Sequence, residues 1–141
     1  MSCSDRFATL AITVTTVSMA AFSLACQDAS TTVAPEAVRR AAEAHVQAAG
    51  GRMSFDDPRG EGRLELAFDH VHEGVHETGG GRHVVCVDFK DEAGTLYDID
   101  FYVDERGGAT AGLVVEDAVV HKVDGKNTLS ESRREELDAR S

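Results

Sequence analysis

Basic residues are scarce in this chain: 14 Lys and Arg stand against 25 Asp and Glu in 141 residues, a formal charge of -11. So acidic a molecule repels phosphate backbones and bare anionic membrane surfaces, which sets nucleic acid aside as a partner. Catalytic signatures are lacking as well. The sequence holds no nucleophile elbow and no Cys-His pair with a family signature. It holds no Cys-x-x-Cys or His-Glu-x-x-His pattern, and Gly79-Gly80-Gly81 lies between strands instead of opening a helix, so it is not a phosphate loop. These absences point away from an enzyme, and no cofactor is expected. Cysteine is also sparse: Cys3, Cys26 and Cys86 are too few for a disulfide framework.

What is present suits one small globular domain, with 42% hydrophobic and 28% charged residues in a length typical of a single core. The one long uncharged run, from Phe7 to Ala25, follows Asp5 and Arg6 and has the length of a membrane helix. Its many Thr and Ser residues and its small-residue end favour a cleaved export signal over residues 1–25. Ser23-Leu24-Ala25 suits ordinary signal peptidase, while Leu24-Ala25-Cys26 resembles the end of a bacterial lipoprotein box, with Ser23 and Leu24 departing from its usual residues. Both rules cut before Cys26. Lipidation there would anchor the chain to a membrane through several acyl chains. Without lipidation the protein would be soluble in the periplasm or secreted, and a Cys26 to Cys86 disulfide becomes conceivable. Losing residues 1–25 removes one Arg and one Asp, so the charge stays at -11.

Residues 26–34 read as a polar tether. Pro35 fits a first helical position, and Val38, Ala41, Ala42, His45, Val46 and Ala49 fall on one stripe before Gly50-Gly51. From Arg52 the period changes to 2. Strands are expected over Leu64 to Asp69, His83 to Lys90, Leu96 to Asp104 and about Gly112 to Val123, with a short fifth near Met53 to Phe55. No gap is long enough for a parallel crossover, so the sheet should be an antiparallel meander of four or five strands under one N-terminal helix, an α+β fold of cystatin-like arrangement over residues 35–126. The loop Glu92-Ala93-Gly94, with Gly94 left-handed, would set Phe89 against Tyr97, Val87 against Ile99, Cys86 against Asp100 and Asp88 against Asp98. Residues 127–141 read as a charged, solvated tail, in which Ser132 and Glu135 are spaced as a capping box.

Two groups could hold metal. Asp88, Asp98 and Asp100 put like charges face to face, which a hard cation such as calcium would relieve, although a solvated acidic face explains them as well. His70 and His72 share one side of a strand, and His76, Glu73 or Glu77 could close a zinc or copper set from the adjoining loop; solvent-facing loop histidines are the plainer reading. Cys86, His45 and His121 read as packing residues.

Asp69-His70-Val71-His72, Cys86-Val87-Asp88-Phe89, Tyr97-Asp98-Ile99-Asp100-Phe101 and the run from Val119 to Lys126 resemble a family of small exported bacterial proteins and lipoproteins of unknown function. The resemblance implies an exported domain and brings no activity, substrate or catalytic residue. The sequence thus points to an exported, lipid-anchored binding or structural domain on the periplasmic face of a bacterial membrane, its protein or small-molecule partner unnamed. The alternative is a periplasmic protein that binds divalent metal.

Overall fold

The computed structural model describes residues 32–106 and 112–140. The expected export signal, Cys26, the tether up to residue 31 and the Gly107-Gly108 turn lie outside the described residues. Helix α1 spans Pro35–Ala48, with Pro35 in its first turn and Glu36 complementing its N-terminus. It stops where Gly50 and Gly51 take positive φ, and the Gly51 N–H closes on the Val46 carbonyl at 3.0 Å. Val38, Ala42 and Val46 are fully buried, so the thin, Ala-containing face lies tight against the sheet. Among the described residues no helix is long and apolar enough to cross a membrane.

The sheet has six strands in sequence order, each antiparallel to the next: β1 (Arg52–Asp56), β2 (Arg63–Gly79), β3 (Arg82–Lys90), β4 (Leu96–Glu105), β5 (Leu113–Val123) and β6 (Lys126–Asn127). The fold is α+β with an antiparallel sheet. Four or five strands were expected; the additional one is a two-residue return after the Asp124-Gly125 turn, too short to show a period. The β3–β4 hairpin has the expected register, including Val87 against Ile99, Cys86 against Asp100 and Asp88 against Asp98. Gly94 sits at φ 86°, and the Asp91 side chain accepts the Thr95 N–H at 2.9 Å.

Alternation sorts β3 and β4 into two faces. Val85, Val87, Phe89, Ile99, Phe101 and Val103 face α1 and form the main core. Phe55, Phe68 and Phe101 surround the Phe89 ring with centroids 5.2 to 6.1 Å away. The opposite face carries Val84, Cys86, Asp88, Asp98, Asp100 and Tyr102.

Two expectations are corrected. First, β2 continues past Asp69 to Gly79, so His76, expected in an adjoining loop, is a strand residue like His70 and His72. Its pairing with β3 slips at Asp69 and again between Val71 and Val75, so the plain alternation breaks there. Second, the tail is not free: α2 (Glu131–Asp138) docks on the polar face. Leu137 is fully buried against Val84, Tyr102 and Val119. The buried Arg82 holds the Leu137 carbonyl at 2.9 Å while pairing with Asp104. The helix is capped by Ser130, whose side chain accepts from the Arg133 N–H, two residues before the Ser132 that the capping-box spacing implied.

Candidate metal centre

The two groups of candidate residues meet, because β2 lies beside β3 with His70 opposite Asp88. Bulging at Asp69 and after Val71 keeps His70 and His72 on the same side, their rings parallel within 10° and 5.1 Å apart. His72 Nε2 lies 2.9 Å from Asp88 Oδ1, and His70 Nε2 lies 3.6 Å from Asp88 Oδ2. These separations bracket the edge of about 3.4 Å that a tetrahedron of nitrogen and oxygen ligands around zinc would have. The donor atoms of all three residues fall within 4.8 Å of one another.

The surroundings fix the His70 imidazole. Asp69 Oδ2 is 3.0 Å from His70 Nδ1, and Lys90 holds the other Asp69 oxygen at 2.8 Å. Those two hydrogen bonds, Lys90 first, keep the Asp69 carboxyl below its usual range. An ionised carboxylate can only accept, so the neutral His70 ring that a metal requires would carry its proton on Nδ1 and turn the Nε2 lone pair to Asp88. A carboxylate behind a ligating histidine is how metal sites set tautomer and ring direction. The His70 side chain is 56% exposed and that of Asp88 only 7%, so the set has a dry floor and an open top. A groove of about 520 Å³ between α1 and β2, with Arg39, Arg40 and Asp69 on its walls, reaches His70.

The three aspartates do not form one solvated face. Asp88 and Asp100 are buried, and each of the three has its own partners. Asp88 takes His72. Asp98 takes Lys122, whose ammonium is 3.5 Å away. Asp100 takes Cys86, with Arg134 3.9 Å from its other oxygen. Burial and a hydrogen bond with Asp98 push the Asp88 carboxyl up. Burial acts upward on Asp98 too, but the same hydrogen bond and the Lys122 charge outweigh it and hold that carboxyl down. The two carboxyls face each other across the hairpin, and a cation at Asp88 would relieve their repulsion. His76 lies apart from His70 and His72, on the wall of a smaller cavity beneath α2 that Asp100 and Arg134 also line.

His121 is the site residue that sequence reasoning missed. The β4–β5 register steps from Asp98–Lys122 to Ile99–Val120, leaving His121 as the extra residue of a bulge. The bulge turns it toward Asp100, and no pattern in the sequence marks it.

No family model matches the chain, and neither a curated protein nor a solved structure does. The geometry alone carries the functional argument.

Proposed function

We propose that this is an exported domain, held at a membrane by lipid on Cys26, that binds a divalent transition metal between His70, His72 and Asp88. The observation that carries the metal reading is the convergence of two imidazole nitrogens on one buried carboxylate, with Asp69 bracing the more exposed ring. Two imidazoles move the preference away from calcium and magnesium toward zinc and its first-row neighbours. Three protein ligands leave a fourth position on the solvent side, where water or an exogenous ligand would sit. The role proposed for the set is binding of the ion. A helix followed by an antiparallel meander is the layout of cystatin-like domains, an analogy that fixes no function.

Zinc should raise the thermal unfolding midpoint of the full chain by about 10 °C when it exceeds its dissociation constant a hundredfold. In the full chain carrying Cys86→Ser, which removes the thiol from the neighbouring Cys86, Asp100 and His121 cluster, His72→Gln and Asp88→Asn should each abolish that shift. An unchanged midpoint in the wild-type chain would refute the metal reading. Anchoring is tested separately by mass spectrometry of the mature N-terminus, which should begin at an acylated Cys26; an unmodified Cys26 or a retained residue 1–25 segment contradicts it.

A further inference from the structure

Beside the first donor set, on the same face of the sheet, Cys86, Asp100 and His121 converge under α2. The Cys86 thiol donates to Asp100 Oδ1 at 2.8 Å, and His121 Nδ1 stands 3.3 Å from the same oxygen. The three donor atoms lie within 4.8 Å of one another. His121 is 9% exposed, and its Nδ1 is buried without a hydrogen-bond partner. An unsatisfied imidazole nitrogen aimed at a buried carboxylate costs stability in the empty protein, so the arrangement calls for a ligand there. A cavity of about 120 Å³ beside Asp100, lined also by His76, Tyr102 and Arg134, gives a path to it.

The geometry points to a second metal site, in which Cys86 Sγ, Asp100 Oδ1 and His121 Nδ1 hold a thiophilic d-block cation of the zinc class. Around zinc the sulfur–oxygen edge would be about 3.6 Å, so the present 2.8 Å contact opens by less than an ångström as the ion replaces the thiol proton. That proton leaves to solvent, and no electron changes hands. A free Cys86 is no nucleophile: burial and the bond to Asp100 push its thiol up to about 12.

Arg134 occupies the position of a built-in competitor. It donates to His121 Nε2 and lies 3.9 Å from Asp100 Oδ2, so the empty site already holds one cation. Coordination at Nδ1 moves the ring proton to Nε2, where it would face the guanidinium donor. Arg134 must then withdraw, which couples metal entry to the seating of α2.

The test is Co²⁺ titration of the full chain carrying Cys3→Ser and Cys26→Ser, so that Cys86 is the sole thiol. One equivalent should produce a near-ultraviolet thiolate-to-cobalt charge-transfer band. Cys86→Ser should abolish the band and His121→Gln should weaken Co²⁺ binding at it about tenfold or more. Arg134→Ala should shift the titration to lower Co²⁺ without loss of folding, because the half-buried Arg134 side chain is not part of the hydrophobic core. His70→Gln should leave the band unchanged, because the first site has no sulfur; the two sites therefore fail independently. Absence of the band in the parent, or a band indifferent to His121→Gln, overturns the proposal.

Discussion

Asp69 shows how one residue outside a donor set governs it. Its carboxylate fixes His70 with Nε2 toward Asp88, and Lys90 fixes the carboxylate in turn. Asp69→Asn keeps the size but can present its amide to the ring, allowing the wrong tautomer. Zinc affinity should fall about 10- to 100-fold, the usual cost of losing such a partner, with the thermal midpoint of the zinc-free protein nearly unchanged. Calorimetric titration separates the two quantities, and equal zinc affinity in the variant would remove Asp69 from the account. The residues of the site were individually visible in the sequence. His70 and His72 stood out by i, i+2 spacing, and Asp88 by its like-charged neighbour across the hairpin. Their meeting was not visible, because it depends on β2 slipping against β3 at Asp69 and after Val71, and nothing in His70 to Glu77 announces where a strand bulges.

At the scale of elements, legibility followed the strength of local turn chemistry. The β3–β4 register could be read because Gly94 admits the left-handed conformation and the apolar alternation on both strands agrees with it. β2 looked like a short strand because only Val71 and Val75 continue its apolar pattern after Phe68, at a spacing the bulge distorts. α2 looked like a loose tail because, from Ser130 to Ser141, ten polar residues and one alanine surround the one side chain that docks it, Leu137. Leu137→Ala should therefore destabilise the domain by about 2 kcal/mol, the low end for a buried leucine because an eight-residue helix can detach instead of leaving a cavity. Chemical denaturation measures it; a change under about 0.5 kcal/mol would mean that the helix contributes nothing to the fold.

The described domain is built on a sheet with two unlike faces. One packs aromatic and aliphatic side chains against α1 and supplies the stability. The other carries the buried Asp88, Asp100 and His121 and the half-buried Cys86, at a cost in desolvation. A net charge of -11 adds a long-range attraction for cations that falls with ionic strength. The central claim is that His70 and His72 bind metal through Nε2. The most direct measurement is the ¹⁵N spectrum of the histidine side chains in the full chain carrying Cys86→Ser, recorded with and without one equivalent of zinc. The Nε2 resonances of His70 and His72 should shift together while those of His45 and His83 stay in place. Unmoved Nε2 resonances at His70 and His72, or equal shifts at all six histidines, would contradict the claim.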